Sequence, residues 1–180
     1  RRRRGIILPV FPHMTDPMFA KLPGLIRVPL ALLLLAINIV LHVVLLFAFT
    51  LIKVIVPIRA VRAACSRVLV LIAESWIGVN NRLFDGFTRI RWQIEGLAGL
   101  RRDSNYLVLC NHQSWVDIPV LQKVFNRRIP FLRFFLKQQL IWVPLLGPAW
   151  WALDFPFMKR YSRETLAKHP ELQGKDMEAT

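Results

Sequence analysis

The longest apolar stretch of the chain covers residues 30–52. Its 23 residues carry no charge, and the polar residues within it are Asn38, His42 and Thr50. As a helix, a stretch of this length crosses the hydrocarbon core of a bilayer. It is too long for the core of a signal peptide, and no small-residue cleavage site follows it. We therefore predict a transmembrane helix over residues 25–56, with a buried core helix as the less favoured alternative.

Two segments flank this apolar stretch. Residues 1–24 contain four prolines and no sustained periodicity, which predicts a disordered leader. Residues 57–84 resume a helical pattern after Pro57, with three arginines opposite an apolar face: Arg59, Arg62 and Arg67. This pattern is typical of a helix that lies in the membrane interface, and a membrane-dipping segment at residues 68–79 is the alternative. Turn signals at 80–81 and 85–86 predict the end of this helical region.

From residue 85 onward the pattern alternates between strands and helices. The predicted strands are residues 89–95, 105–110, 129–136 and 153–158. A helix is predicted over residues 115–125, and Ser162 is a candidate cap for a later one. The alternation predicts an α/β fold. Because it stops after four strands, we expect residues 85–180 to be the amino-terminal part of a truncated domain.

The charge is large and unevenly distributed. The chain is 54% hydrophobic and has a net charge of +14, and Asp16 is the one acidic residue before Glu74. Such a chain suits an anionic lipid surface better than nucleic acid, for which no motif is visible. Basic residues are more frequent after the apolar stretch than before it. We therefore predict a membrane protein whose carboxyl-terminal part is cytoplasmic, at the inner membrane if the chain is bacterial.

The candidate chemistry lies in residues 111–117. Strand-type residues lead to His112, and Asp117 follows five residues later in the first turn of a helix. Ligands of open α/β sheets bind outside the carboxyl ends of the strands. An imidazole supported by a carboxylate is suited to general-base catalysis, so we predict His112 and Asp117 as the catalytic pair. Backbone N–H groups at the start of the helix near Trp115 are candidates for stabilising an oxyanion.

Other polar side chains give weaker signals. Cys65 and Cys110 form neither a disulfide framework nor a metal-ligand pattern, so no metal site is predicted. Cys110 precedes His112 by two residues and could be a thiol nucleophile, although a buried strand residue is the favoured interpretation. His42 is either a functional polar residue in the span or a neutral imidazole facing another helix.

Residues 111–117 (N-H-Q-S-W-V-D) resemble the N-H-x-S-x-x-D motif of the glycerolipid acyltransferases. A second block, residues 135–160, resembles the next region of that family, closest to its membrane-bound 1-acyl-glycerol-3-phosphate acyltransferase branch. The resemblance covers about residues 89–165. It implies a partial acyltransferase domain of α/β type and transfer of a fatty acyl group to a lysophospholipid hydroxyl. The implied donor is acyl-CoA or an acyl-carrier-protein thioester, and no cofactor is implied.

The resemblance also implies roles for individual residues. His112 removes the proton of the acceptor hydroxyl while Asp117 orients the ring. Arg160 contacts the acceptor phosphate, and Lys137 and Lys159 support it as further cations. The alternatives are an ion pair of Arg160 with Asp154 or Glu164 and a solvated Lys159. The apolar segment 140–151, with Trp142, Trp150 and Trp151, suits an acyl pocket, the lipid interface or an ordinary core.

One expected motif is missing. The family has a later Glu-Gly-Thr-Arg type motif whose arginine helps to bind the acceptor phosphate, and nothing after Arg160 matches it. We therefore expect an amino-terminal fragment of a phospholipid-biosynthesis enzyme, with lysophosphatidic acid as the first candidate acceptor. The alternatives are another lysophospholipid as acceptor, a non-catalytic membrane adaptor, or a thiol-dependent hydrolase using Cys110.

Overall fold

The computed structural model describes residues 18–19, 21–90, 92–159 and 167–168. The chain divides into two compact units, Arg1–Asn38 with Ile77–Pro130 and Ile39–Trp76 with Phe131–Thr180. The elements in chain order are α1 (Gly24–Ile55), α2 (Arg59–Phe87), α3 (Asp117–Phe125), β1 (Leu136–Lys137), a 3₁₀ helix (Gln138–Trp142), α4 (Leu146–Ala152) and β2 (Phe157–Met158). Each unit contains part of both long helices.

Helix α1 agrees within one residue at each end with the span predicted over residues 25–56. Only 11% of the residues in its 18-residue apolar window are buried, and long aliphatic side chains cover most of its surface. A core helix of a soluble protein would be mostly buried. The length, apolarity and exposure of α1 therefore make it a candidate membrane span. The cytoplasmic location of the chain that follows it stays a prediction.

Helix α2 continues through both predicted turn signals and ends at Phe87. The prediction of turns at 80–81 and 85–86 is wrong. In the first unit, the side chain of Asn80 accepts a hydrogen bond of 2.8 Å from Asn38 Nδ2, so its amide serves a helix contact instead of a local turn. The next residue after the helix, Thr88, bonds back to the Phe84 carbonyl through its N–H and its hydroxyl, which closes the last turn.

One side of α2 is buried at intervals of four residues, at Cys65, Leu69, Ala73 and Ile77. In the second unit Leu69 and Ala73 share a buried cluster with Leu46 of α1. The His42 ring lies 3.2 Å from the Ser75 hydroxyl, which fits an imidazole facing a neighbouring helix. The arginines of the predicted polar face, Arg59, Arg62 and Arg67, are exposed. The placement of α2 in a membrane interface stays a prediction.

The segment before α1 makes a defined contact in the first unit. The Phe19 ring stacks on Phe87 with centroids 4.5 Å apart, and the Phe19 N–H donates to the Gly86 carbonyl. Within the segment predicted as a disordered leader, Phe19 therefore has a defined position against the end of α2. Residues 1–17 and 20 of that leader lie outside the described part of the chain.

The predicted α/β sheet is reduced, in the described residues, to one parallel pair in which Leu136 faces Phe157 and Lys137 faces Met158. Residues 105–110 and the described parts of 89–95 form no strand, and the strands predicted at 129–136 and 153–158 shrink to their last residues. Strand propensity is satisfied only when a neighbouring strand takes up the backbone hydrogen bonds. The described part of the chain is mainly helical for this reason. The helix predicted after Ser162 lies outside the described residues.

The core of the second unit lies where α4 and the segment that follows it meet the two long helices. Its buried members are Leu46, Leu69, Ala73, Ala149, Ala152, Leu153 and Phe155. Phe131 and Phe134 pack against the Phe155 ring at centroid distances of 6.0 and 6.4 Å. Inside α4, Gly147 lies so close to the backbone of Ile141 that a Cβ atom would overlap the Ile141 carbonyl oxygen. The absence of a side chain at this position lets the 3₁₀ helix and α4 pack together.

Candidate active site

A tight loop carries the predicted catalytic pair in the first unit. Helix α3 begins at Asp117, two residues later than the sequence predicts, because Trp115 and Val116 form the turn before it. The Asp117 N–H donates to the Ser114 carbonyl at 3.1 Å, which closes this turn. Pro119 falls in the first helical turn, where the missing N–H has no intrahelical partner to lose. The loop thus places residues 112 and 117 side by side.

One carboxylate oxygen organises the loop. Asp117 Oδ2 accepts hydrogen bonds from the backbone N–H of Gln113 at 2.7 Å and of Ser114 at 2.8 Å. The same oxygen lies 3.1 Å from Nδ1 of His112. An ionised carboxylate can only accept a hydrogen bond, so Nδ1 carries the proton of the neutral ring. The lone pair of the ring is then on Nε2, the atom that can receive a proton from a substrate.

The environment of Asp117 keeps it ionised. The backbone N–H groups of Ser114 and Gln113 hold the pKa of its carboxyl below the ordinary value, and His112 contributes in the same direction. Its negative charge can stabilise the imidazolium that forms when His112 takes up a proton. The His112 side chain is 60% exposed and that of Asp117 30% exposed. The His112 ring is therefore accessible to a substrate, while the Asp117 carboxylate is held by the backbone amides of the loop.

Three backbone amides in this loop already have hydrogen-bond partners. The amides of Gln113 and Ser114 bind Asp117, and the Val116 amide donates to the Ser114 hydroxyl at 3.3 Å. Of these three, the Val116 amide is the one that lies within the helix predicted from Trp115, and it is bonded to the Ser114 hydroxyl; the wider expectation that amides at the start of this helix face an oxyanion stays a prediction. The Gln113 and Ser114 amides orient the Asp117 carboxylate, which accepts both of their hydrogen bonds in the way that a bound anion would.

Lys123 fixes the other end of α3, a role that sequence reasoning missed. Its Nζ lies 2.6 and 2.7 Å from the two oxygens of Asp85 and 5.0 Å from the centre of the Trp92 ring. The Lys123 side chain is only 14% exposed. The sequence pattern had marked it simply as a polar helix position. Because the two partners are 38 positions apart in the sequence, no local spacing signals the pair.

Cys110 does not lie where the sequence suggested. It was expected to be a buried strand residue, and it is exposed. The reason is the missing ladder: residues 105–110 have no strand beside them in the described structure, so no sheet face covers the thiol. Cys65, in contrast, is buried in α2.

The predicted acceptor-binding residues belong to the second unit. Lys137 is the last residue of β1 and Lys159 follows β2, and both are exposed. Because β1 and β2 are parallel, their carboxyl ends lie at the same edge, and the two lysines with them. Asp154, one alternative partner for Arg160, forms an ion pair with Lys53 at 3.2 Å. Arg160 and Glu164 lie outside the described residues.

The aromatic residues of the segment 140–151 differ in burial. Trp150 packs partly buried against the core of the second unit, whereas Trp142 is 85% and Trp151 54% exposed. Ordinary core therefore describes Trp150 alone among the three. In the described residues, no group of three or more His, Cys, Asp or Glu side chains is placed to hold a metal ion.

Comparison with known proteins gives one match. The model of the Acyltransferase family matches residues 91–177, a range that contains His112, Asp117 and both exposed lysines. Searches of curated proteins and of solved structures found no significant match. The matched range begins shortly after α2, so neither long helix contributes to it.

Proposed function

We propose, from the acyltransferase domain that residues 91–177 represent, that this chain transfers a fatty acyl group from a thioester to a lysophospholipid hydroxyl. The donor in this proposal is acyl-CoA or an acyl-carrier-protein thioester. The acceptor is 1-acyl-sn-glycerol-3-phosphate, and the product is phosphatidic acid. The contact between His112 Nδ1 and Asp117 Oδ2 is the observation that carries the proposal.

The chemistry needs a base at the acceptor hydroxyl. An alcohol is a weak nucleophile near neutral pH, so removal of its proton by Nε2 of His112 during attack accelerates the reaction by about 10²–10⁴. The hydroxyl oxygen forms a bond to the thioester carbonyl carbon, and the carbon–sulfur bond then breaks. The proton on Nε2 passes to the departing thiolate, which restores the neutral ring and completes the cycle.

The choice of a lipid acceptor rests on two further features. Helix α1 is a candidate membrane span, which would keep the domain at the surface where lysophospholipids reside. Lys137 and Lys159 provide exposed cations at one edge of the β1–β2 pair, and Arg160 follows directly in the sequence. Cations of this kind, and a guanidinium above all, suit the phosphate of the acceptor. We propose these three residues as its contacts, on the cytoplasmic side of the membrane.

The test uses the full 180-residue chain purified into phospholipid vesicles, so that no other acyltransferase contributes. Vesicles receive lysophosphatidic acid and a labelled acyl thioester, offered as acyl-CoA and as acyl carrier protein in separate reactions. We expect labelled phosphatidic acid from the wild type and a loss of about 10²–10⁴ in rate for His112→Ala. Cys110→Ala is the matched control: it removes an exposed side chain two residues away and should keep the wild-type rate.

The outcomes separate the competing functions. Equal transfer by the wild type and His112→Ala contradicts the role of His112. Free fatty acid as the product, lost in Cys110→Ala, points to a thiol-dependent hydrolase. Vesicles in which the wild type transfers to no lysophospholipid contradict the proposal as a whole and favour a membrane adaptor. Transfer to another lysophospholipid in preference to lysophosphatidic acid keeps the reaction and corrects the acceptor.

A further inference from the structure

The second unit exposes a group of large apolar side chains within ten residues of sequence. Its members, which we call the aromatic surface, are Trp142, Leu145, Leu146 and Trp151. Single exposed apolar residues are common on proteins, but several large ones together indicate a surface that contacts a partner or a membrane. They are not needed for the core of the unit, which is built from the neighbouring Ala149, Ala152 and Leu153.

This surface lies beside the carboxyl-terminal end of α1. Lys53, in the last turn of α1, places its Nζ 3.3 Å from the Ala152 carbonyl oxygen and 3.2 Å from an Asp154 carboxylate oxygen. Seven residues earlier in α1, Leu46 shares the buried cluster with Ala149 and Ala152. Helix α4 therefore packs along the last turns of α1. The position of these turns along the membrane normal determines the depth of α4.

The length of α1 determines that depth. With 32 residues, the helix is about 48 Å long at 1.5 Å per residue. The hydrocarbon core of a bilayer is about 30 Å thick, so the ends of α1 extend into the headgroup layers. Lys53 is the basic residue of the last turn and marks this level. Helix α4, which carries Trp151, packs against the same turns, and the 3₁₀ helix that ends at Trp142 packs against α4. In a bilayer that α1 spans, we therefore expect both tryptophans near the headgroup layer, the region where tryptophan is enriched in membrane proteins.

The charge around this level matches an anionic lipid surface. Helix α2 starts at Arg59, four residues after the end of α1, and Arg59 and Arg62 are both exposed. Basic residues next to a span attract anionic lipids. Cations and exposed tryptophans at one end of a span together resemble the composition of a surface that rests in the headgroup layer.

We propose that the aromatic surface is a second membrane contact, seated in the headgroup layer of an anionic bilayer at the carboxyl-terminal end of α1. The occupant is the bilayer itself and not the acyl chain of a single substrate, because Trp142 and Trp151 are largely exposed side chains and the nearby start of α2 is basic. The proposal rests on α1 as a span and on the contacts of Lys53. It is independent of the proposed acyl transfer.

The experiment measures the depth of single spin labels in the full chain, reconstituted into vesicles of phosphatidylcholine and phosphatidylglycerol. The background carries Cys65→Ala and Cys110→Ala, and each variant adds one labelled cysteine. Trp142→Cys and Trp151→Cys test the surface. Leu41→Cys, on the exposed side of α1, reports the hydrocarbon core, and Glu95→Cys, in an exposed loop, reports water. Depth is read from the collision rates of each label with oxygen and with a water-soluble nickel complex.

We expect labels at 142 and 151 to lose nickel accessibility relative to position 95 and to gain oxygen accessibility, with values between those at 95 and 41. Adding Arg59→Gln and Arg62→Gln should shift both labels toward the values at 95. Nickel accessibility at 142 and 151 equal to that at 95 overturns the proposal. So does spin–spin broadening between labelled chains at low protein-to-lipid ratio, which would identify a second copy as the occupant. If the label at position 41 has the same nickel and oxygen accessibility as the label at position 95, α1 does not span the bilayer and the proposal is contradicted.

Discussion

The Nδ1 atom of His112 lies 3.1 Å from Asp117 Oδ2, and that oxygen also accepts hydrogen bonds from two backbone amides. The ring is thus oriented by a carboxylate that is itself fixed by two backbone amides of the preceding loop. No residue outside the loop is needed for this arrangement. The predictions that follow begin with this pair and then turn to the packing that supports each unit.

Replacing Asp117 with asparagine should separate charge from geometry. The amide oxygen can still accept hydrogen bonds from the Gln113 and Ser114 amides, so the loop should persist, while the negative charge beside the ring is lost. A comparable substitution in a serine-protease triad costs about 10⁴ in kcat. The His112–Asp117 contact is more exposed, and we expect a loss of about 10²–10³ in kcat with little change in KM.

Asp103→Asn is the matched control for this substitution. Asp103 is an exposed carboxylate paired with Arg101 at 2.6 Å, so its replacement also removes one charge and one ion pair. Its variant should keep wild-type kinetics. If the two variants lose activity equally, the effect is one of net charge and the role of Asp117 is contradicted.

The titration of Asp117 should reflect its backbone partners more than its histidine. Its pKa is lowered first by the Ser114 and Gln113 amides, so the ionised form should persist below the ordinary value of 3.8. A lowered folded-state pKa adds stability that is complete above the unfolded value and is lost as the pH falls through the folded value. The carboxyl carbon shift of labelled Asp117, followed in micelles from pH 6 downward, measures the midpoint.

His112→Ala provides the discriminating comparison in that titration. Because the amides are the larger cause, the Asp117 midpoint should stay below 3.8 in this variant. The pKa of Asp103, in contrast, should depend on its side-chain partner, since Arg101 is the first cause of its lowered value. Arg101→Gln should raise the Asp103 midpoint toward its ordinary value. A return of Asp117 to 3.8 in His112→Ala would show that the histidine controls the carboxylate.

Gly147→Ala should destabilise the second unit. In an exposed helix the change from glycine to alanine is favourable by about 1 kcal/mol. Here the new Cβ would overlap the carbonyl of Ile141, which is backbone and cannot move aside. Overpacking of this kind typically costs about 1–3 kcal/mol and outweighs the propensity gain. Gly78→Ala is the control, because its Cβ would meet nothing closer than an Asn126 side-chain atom at 3.9 Å.

Denaturant unfolding in micelles, followed by circular dichroism, checks the glycine pair. We expect a lower midpoint for Gly147→Ala and an equal or higher one for Gly78→Ala. Equal midpoints for both variants would mean that the approach to Ile141 relaxes without cost, and the sign of the prediction would then be wrong.

The pair of Lys123 and Asp85 should couple α3 to α2 within the first unit. Because the Asp85 side chain is 53% exposed, solvent screens the pair, and we expect a coupling of about 0.5–1 kcal/mol. A double-mutant cycle with Lys123→Met and Asp85→Asn measures it. Methionine keeps an unbranched apolar side chain at this largely buried position and removes the charge. Additive effects of the two substitutions would show that the contact contributes nothing to stability.

Local patterns in the sequence were sufficient for some elements. The ends of α1 follow from an uncharged stretch limited by polar residues and by Pro57, and the proximity of His112 and Asp117 follows from a five-residue spacing across one turn. Each depends on residues that are neighbours along the chain. The catalytic roles of the pair, and those of Lys137, Lys159 and Arg160, stay predictions.

Features that depend on distant partners were not predictable in the same way. Residues 105–110 have the composition of a strand, yet without a neighbouring strand in the described structure they stay unpaired and Cys110 is exposed. Asn80 is typical of a turn in the sequence, but in the structure its side chain accepts a hydrogen bond from Asn38 of α1. Lys123 is typical of a surface lysine in the sequence, but in the structure its Nζ contacts Asp85 and the Trp92 ring. In each case the missing information was the identity of the contacting residue.

The loop between His112 and Asp117 also sets limits on which sequences can build it. Gln113 contributes its backbone N–H and Ser114 its backbone N–H and carbonyl, so the geometry around Asp117 makes little demand on the Gln113 side chain. Position 113 should accept most amino acids, large or small, but not proline, which has no N–H to donate. Inserting one residue between Ser114 and Asp117 would, in contrast, displace both donors relative to the carboxylate. The loop should therefore accept substitutions at position 113 but not a change in its number of residues.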